Sequence, residues 1–519
     1  MALMAIASLF IGQNLVYFYL DSKLAPDIAL KKYVVLLVIY LIFTMIKNAK
    51  LRYIALSFML FFSFLQWVHL AYYGNRVFPF EIYLFFAEQG EIWGTLLHDY
   101  QFVIIPALLS FPFMLLLWGF NNHWDGRFKR YPGVGAFFIF MLLFFPLRTA
   151  ITGNIWGKQP SVKEFDGVSL YLSMSYFSAK VLPHKLLSEK KSNAWSLRLQ
   201  ENEEPEDINI ILVMGESLTP HRMSAFGYQK ETTPFLDSKK DDPNFRFMLS
   251  RSSGVSTEIS LSLFFNNTFG LDGVGNIYAG KQCLFKLARD HKFKTQFYSA
   301  QSIYQLRYII PNICFHSVDT AKSFEDLPTQ DQTHDNVDDM LLVDEFKKID
   351  LNLAGKNLFV FHMRGQHSPY NLRYPTEYLK DNAKELSKVA HYELAVRRTD
   401  EVLKAMIEKV EQSQKKTVLI FTSDHGEALG DFGYWGHGML KQDIYEVPLV
   451  FYFKNMQAPQ FPKFMTHFNT SLFITELLGY KYDYRWNEDL KKFEVIGNDL
   501  DGFAGKIILN PNEYKALEF

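Results

Sequence analysis

Apolar positions along the chain fall into two regimes. In the first third they form long runs with almost no charge inside them, at residues 2–20, 33–46, 53–73, 102–120 and 133–151. A helix needs about 20 apolar residues to cross a hydrocarbon core, so the pattern predicts five spanning helices. The second run is short and counts as a span only with its flanks. From residue 208 onward the runs shrink to strand length and alternate with helical segments, which predicts a layered α/β domain. Strands are expected at 209–214, 293–298, 358–362, 418–422 and 448–453, and the clearest helices at 282–290, 337–348 and 383–411.

The intervening segments are neither fully apolar nor fully polar. Residues 78–97 mix Phe, Tyr, Ile and Trp93 with Glu81, Glu88 and Glu91, too polar to span and too aromatic for a free loop. An interfacial segment is the expectation. Residues 170–187 form an amphipathic stretch suited to lying along a membrane, and the acidic 201–207, which contains Pro205, reads as a linker. The expected organisation is therefore a transmembrane domain over 1–155, a bridging segment and linker over 156–207, and a soluble domain over 208–519. Met1 is followed at once by apolar residues, without a basic leader or a small-residue cleavage site, so the first run is expected to be a retained span. Lys47, Lys50 and Arg52 lie between the second and third runs, and Arg127, Lys129 and Arg130 between the fourth and fifth. Placing both basic loops in the cytoplasm puts the soluble domain outside, although Lys23, Lys31 and Lys32 in the first loop pull the other way.

Composition changes this picture only slightly. A chain of 519 residues exceeds one ordinary domain, and its 49 Phe, concentrated toward the start, point to lipid rather than to a single soluble core. The formal net charge of −1 gives no global attraction to nucleic acid, so no such partner is expected. Cys283 and Cys314 both fall in the soluble half; outside the cytoplasm one disulfide is permitted, and two free buried thiols are equally compatible.

The chemistry gathers where strands end. The run Val418-Leu-Ile-Phe421 stops on Ser423-Asp424-His425-Gly426-Glu427, and open α/β sheets carry their ligand groups at the carboxyl ends of strands. A hard oxygen donor beside a nitrogen donor is a natural half-set of zinc ligands, although strand-Asp-turn is also a common helix cap. Three other clusters resemble it: Gly215-Glu216-Ser217; Ser252-Ser-Gly254-Val-Ser256-Thr257 with Ser260 and Ser262; and His362-Met-Arg364-Gly-Gln-His367. Gly436-His437-Gly438 follows the opening stretch. In the second cluster a Gly turn precedes hydroxyls at an expected helix start, whose free N–H groups and dipole favour a phosphate. Each cluster alone has an ordinary structural reading, as a cap, a solvated acid or a hydrogen-bonded imidazole. Together they offer a hydroxyl nucleophile, two carboxylates and several imidazoles, which fits metal-assisted phosphoryl or sulfuryl transfer.

Gly215-Glu216-Ser217, followed by Met223-Ser-Ala-Phe-Gly227-Tyr228 and Thr233-Pro234, resembles the opening of the membrane phosphoethanolamine transferases of the alkaline phosphatase/sulfatase superfamily. Ser423-Asp424-His425-Gly426-Glu427, Gly436-His437-Gly438 and the stretch from His467 to Gly479 resemble later motifs of the same family. The resemblance implies a five-helix transmembrane domain joined to a sulfatase-like α/β/α catalytic domain, in a bacterial inner membrane with the catalytic domain in the periplasm. It implies Thr257 as a nucleophile that becomes phosphorylated, and Glu216, Thr257, Asp424 and His425 as zinc ligands. His367 and His437 would bind the phosphate of the donor. The donor implied is phosphatidylethanolamine, and the acceptor lipid A or another envelope glycan. The chain departs from the family in having two cysteines where several disulfides are common. It also has Leu84 and Glu88 roughly where polar donor-binding residues are expected.

Three rivals share parts of this pattern. A sulfatase activity requires a Cys or Ser in C/S-x-P-S-R, and Ser256-Thr-Glu-Ile-Ser260 does not supply it. A phosphoglycerol transferase of the lipoteichoic acid synthase type shares the fold, the threonine and the metal set, and Ile303-Tyr-Gln-Leu-Arg307 suits a glycerol phosphate. A non-catalytic lipid sensor would be expected to lose metal ligands, and every one is present.

Overall fold

The structure, a computed structural model, describes residues 42–73, 77–87, 130–152, 166–187, 197–201, 204–307, 309–327, 336–379, 386–431, 434–462, 464–482 and 493–510, with isolated positions between 89 and 108. The chain divides into two compact units, Met1–Glu189 with Leu429–Gly436, and Lys190–Ala428 with His437–Phe519.

The first unit contains helices α1 (Ala49–Tyr73), α2 (Pro79–Ala87), α3 (Pro132–Thr152) and α4 (Asp166–Tyr176). The last continues through a π turn, Phe177–Val181, into the short helix Leu182–Leu187. Among the described residues two stretches are long and apolar enough to cross a membrane, Ala49–His69 and Pro132–Thr152. These are the third and fifth expected spans. The first lies outside the described residues, and the second and fourth lie largely outside them. On α3, Phe137, Phe140, Leu143, Leu147 and Ile151 are exposed, an apolar surface suited to lipid. Hydroxyls inside this unit find carbonyl partners, as burial in apolar surroundings requires. Tyr171 donates to the Met141 and Leu142 carbonyls at 2.8 and 3.0 Å, and Ser173 to the Val77 carbonyl at 2.8 Å. The expected interfacial segment contributes α2.

The second unit is built on eight strands: β1 (Ile208–Gly215), β2 (Phe245–Arg251), β3 (Lys294–Ser299), β4 (Thr320–Lys322), β5 (Asn357–His362), β6 (Lys416–Ser423), β7 (Glu446–Lys454) and β8 (Met465–Thr466). Their order across the sheet is β8-β2-β7-β6-β1-β5-β3-β4. All five expected strands are present, within two residues at each end. β6 is buried from Thr417 to Ser423 and is parallel to β1 on one side, while β7 on its other side runs antiparallel to it and to β2. Helices α5 (Thr257–Phe265), α6 (Leu284–Asp290), α7 (Met340–Lys347), α8 (Lys388–Glu411) and α9 (His467–Leu477) cover the sheet. Phe285 of α6 meets Phe297 of β3 edge-on at 6.2 Å, and Phe473 of α9 meets Phe451 of β7 at 5.5 Å. On the opposite face Phe346 of α7 packs edge-on against Phe361 of β5 at 5.0 Å. Helices on both faces make three layers, so the central strands carry continuous apolar runs, Ile210–Met214 in β1 and Val418–Phe421 in β6.

The expected linker is partly structured. Leu199–Glu201 pairs antiparallel with Tyr480–Tyr482, and Asp207 and Glu206 form ion pairs with Lys415 and Lys416. Cys283 and Cys314 are both free thiols in one buried cluster. The Cys283 thiol donates to the Ile313 carbonyl at 3.1 Å.

Candidate active site

Strand register builds the centre. β1 and β6 are parallel neighbours with Gly215 opposite Ser423, so the residues that follow, Glu216 and Asp424, emerge side by side at the carboxyl edge. His425 continues the β6 chain. α5 begins at Thr257 with Ser256 as an extended cap, after Gly254, where a Cβ would lie 2.8 Å from the Ser260 backbone nitrogen. Only glycine lets the chain fold this tightly against the helix start.

Four predicted residues converge on one point. Thr257 Oγ1 donates to Glu216 Oε2 at 3.0 Å and lies 3.3 Å from His425 Nε2. The same nitrogen is 3.4 Å from Glu216 Oε1 and 3.3 Å from Asp424 Oδ2. Glu216, Asp424 and His425 are at most 1% exposed. His437 is adjacent, its ring 4.3 Å from that of His425, and His367 lies 6.0 Å beyond it. All six candidate site residues are therefore gathered at one edge of the sheet. The flanking hydroxyls are engaged elsewhere: Ser217 Oγ donates to Glu216 Oε1 at 2.8 Å, and Ser260 Oγ donates to the Asp424 carbonyl at 2.5 Å.

The donor set fits a cation. His425 Nδ1 faces the Gly426 carbonyl at 2.8 Å, which makes it the protonated nitrogen and leaves Nε2 as a lone pair. Burial, with repulsion from His437, drives this imidazole down to about 4, so it is neutral at pH 7. A lone pair then faces two carboxylates at 3.3 to 3.4 Å, an arrangement a positive ion between them would relieve. Asp424 Oδ1 accepts the N–H groups of His425 and Ser217 at 2.6 and 3.1 Å, while its Oδ2 is sealed and has no hydrogen bond among the described residues. Burial and the Glu216 charge push the Asp424 carboxyl well above its usual range. Burial also raises Glu216, but attraction to the imidazoles of His425, His367, His437 and His362, when these are charged, outweighs it and holds this carboxyl low. Two carboxylates, an imidazole and a hydroxyl suit a hard or borderline divalent ion such as zinc.

Several contributing residues were not singled out from sequence. Gln301, 3% exposed, donates through Nε2 to Glu216 Oε2 at 2.8 Å. It also contacts His362 Nε2 at 3.2 Å, whose Nδ1 meets Ser299 Oγ at 3.1 Å. Glu427 accepts from the Tyr370 hydroxyl at 2.6 Å and faces His437 Nδ1 at 3.0 Å, so it orients that ring. It belongs to the motif at the end of β6, where sequence offered it no role. Buried Asp339 accepts the N–H groups of Arg364 and Gly365 at 2.7 and 2.8 Å and so holds the loop that carries His367. Within 303–307, the Arg307 guanidinium stacks 3.5 Å over the Tyr304 ring.

The family profile described as Sulfatase matches residues 208–480, more than half of the chain. The chain belongs to the sulfatase family. Among its relatives is the Kdo(2)-lipid A phosphoethanolamine 7''-transferase of Escherichia coli (strain K12), 25% identical over 305 residues, 53% of this chain and 52% of that protein. The phosphoethanolamine transferase EptA of Helicobacter pylori is 23% identical over 301 residues, 54% and 51% of the two chains. The chain thus spans about half the length of the curated relatives it matches. In fold, this sulfatase-family chain resembles the integral membrane lipooligosaccharide phosphoethanolamine transferase A (EptA) of Neisseria meningitidis. The TM-score is 0.56 at 16% identity, over 92% of this chain and 96% of that one. It also resembles the C-terminal periplasmic domain of EptC from Escherichia coli, solved in complex with Zn. There the TM-score is 0.51 at 19% identity, over 63% and 99%. These matches bear out the resemblance to membrane phosphoethanolamine transferases drawn from the strand-end motifs.

Proposed function

We propose that the chain is a zinc-dependent phosphoethanolamine transferase that moves phosphoethanolamine from phosphatidylethanolamine to an envelope acceptor, lipid A or another lipopolysaccharide group, through a phospho-threonine intermediate. The observation that carries this reading is the convergence of the Thr257 hydroxyl, two buried carboxylates and a neutral imidazole on one point at the carboxyl edge of the sheet. Glu216, Thr257, Asp424 and His425 would hold the metal. A zinc ion bound there lowers the pKa of a coordinated hydroxyl and withdraws charge from phosphate oxygens.

The chain's own residues divide the remaining work. Thr257 Oγ1 attacks the phosphorus of the donor phosphodiester in line; its O–P bond forms as the bond to the diacylglycerol oxygen breaks, and diacylglycerol leaves with a proton. Glu216 Oε2, held ionised, accepts the hydrogen bond from Thr257 and fixes the direction of the oxygen lone pairs. The N–H groups at the start of α5 face the transferred phosphate and offset its developing charge. His367 and His437 bind the same phosphate from the other side, the latter steadied by Glu427. An acceptor oxygen then displaces phosphoethanolamine from Thr257, which completes a two-step exchange. The five apolar runs over 1–155 anchor the chain in a bacterial inner membrane, 156–207 bridges, and 208–519 forms the periplasmic catalytic domain beside its lipid substrates.

Mass spectrometry of envelope lipids and glycans from cells with and without the protein tests this function. A phosphoethanolamine increment on lipid A or core sugar that depends on the protein is expected. A phosphoglycerol increment would replace the reading with the phosphoglycerol transferase one, and no increment from zinc-loaded protein would overturn it.

A further inference from the structure

The loop that wraps Glu216 carries a cation without a counter-charge. Residues 363–367 are fixed by backbone contacts on every side. The Met363 N–H donates to the Met214 carbonyl at 2.9 Å, the Gln366 N–H to the Glu216 carbonyl at 3.0 Å, and the N–H groups of Arg364 and Gly365 to the two Asp339 oxygens. Arg364 is only 5% exposed. Its guanidinium makes no hydrogen bond and no ion pair with any described residue, and its Nε is sealed from solvent. Arginine is almost never buried in this way unless it is paired. The nearby carboxylates are already committed: Asp339 to the two backbone N–H groups, Asp338 to Arg398 at 2.9 and 2.6 Å, and Glu216 to Thr257, Ser217 and Gln301.

The Arg364 charge is felt at the centre. After burial and against Glu216, it helps to hold the His362 imidazole at about 4, and that ring contacts Gln301, the donor to Glu216. A planar guanidinium with five N–H groups matches phosphate oxygens in pairs. We propose that Arg364 receives a phosphate of the substrate, as a binding residue additional to His367 and His437. This deepens the reading of the Thr257 centre as a phosphoryl-transfer site and rests on it. The phosphate belongs either to the phospholipid donor or to a phosphorylated acceptor.

The test uses the full zinc-loaded chain in detergent, with inorganic phosphate as the probe in calorimetric titration, for wild type, Arg364→Met and Arg364→Lys. Arg364→Met is expected to bind phosphate at least 10-fold more weakly. It should keep its zinc and, without phosphate, melt no lower than wild type, because an unpaired buried charge has been removed. Arg364→Lys should fall between the two. Unchanged phosphate affinity in Arg364→Met overturns the proposal and leaves the Thr257 reading standing, as does a lower melting temperature without phosphate, which marks a structural arginine. Failure of wild type to bind phosphate overturns both. In kinetics, a raised KM for phosphatidylethanolamine during acceptor-free hydrolysis assigns the donor phosphate. A raised KM for lipid A alone assigns the acceptor phosphate, and no change in either overturns the proposal.

Discussion

Replacing Gln301 by Met removes a hydrogen bond from a carboxylate proposed as a metal ligand, together with the Nε2 contacts to His362 Nε2 and the Met363 carbonyl, both at 3.2 Å. Gln301 Nε2 lies 2.8 Å from Glu216 Oε2, and both residues are at most 3% exposed. Methionine fills a similar volume without a donor. A hydrogen bond to a charged group contributes about 1.5–3 kcal/mol. At about 1.36 kcal/mol per decade, that is roughly 10- to 150-fold in an equilibrium constant. The Glu216 oxygen would keep its contact with Thr257 but lose the partner that sets its orientation, the kind of change that typically costs about 10- to 100-fold in metal affinity. The assay is zinc affinity of the purified chain by competition with a chromogenic chelator, with circular dichroism to confirm folding. A decrease of at least 10-fold in a folded protein is expected. Zinc affinity within twofold of wild type would show that Glu216 is not positioned through Gln301, or is not a ligand.

Two further outcomes follow from the same loop. Gly365 has φ 51°, and a Cβ there would lie 2.6 Å from the Glu216 carbonyl oxygen. Gly365→Ala should therefore destabilise the soluble unit by about 2–5 kcal/mol, from overpacking and the left-handed backbone together, and lower zinc content; wild-type melting and zinc content would refute the close approach. Burial lifts the Asp339 carboxyl to about 6, against the opposing N–H groups of Arg364 and Gly365. A raised carboxyl gives stability that is full below the unfolded pKa and is lost as pH rises through the folded one. Unfolding free energy should therefore fall by up to about 3 kcal/mol between about pH 4 and pH 6. Denaturant titrations across that range should show the slope in wild type and its disappearance in Asp339→Asn; an equal slope in both would exclude Asp339 as its source.

The central strands were legible because burial on both faces leaves an apolar run that sequence displays directly, as in Val418 to Phe421. β2 was not. Its alternating Phe245-Arg-Phe-Met-Leu-Ser-Arg251 carries two arginines, only part of it is buried, and it becomes a strand by pairing antiparallel with β7. β4 and β8, with three and two residues, are too short for any periodicity. The acidic segment at 201–207 read as linker because what ties it down is remote in the chain: Glu201 pairs with Tyr480, and Glu206 and Asp207 form ion pairs with Lys416 and Lys415. The candidate centre was legible where chemistry sits on a strand end, as at Glu216 and Asp424. Gln301 and Asp339 were not: Gln301 reaches Glu216 because β3, β5 and β1 are neighbours in the sheet, and Asp339, just before α7, meets the loop after β5. Glutamine two residues past a strand looks the same in sequence whether it meets a carboxylate or water.

The claim at the heart of the account is that Thr257, and not Ser217, Ser256 or Ser260, carries the transferred group. Ser217 and Ser260 are turned to Glu216 and to the Asp424 carbonyl, whereas Thr257 Oγ1 meets Glu216 and His425 together. The direct measurement is peptide mapping by mass spectrometry after zinc-loaded protein is incubated with phosphatidylethanolamine in the absence of acceptor. A phosphoethanolamine increment on the peptide containing Thr257, fragmenting to that residue and absent in Thr257→Ala, is the expected result. The same increment on a neighbouring serine, or full transfer by Thr257→Ala, would contradict the account.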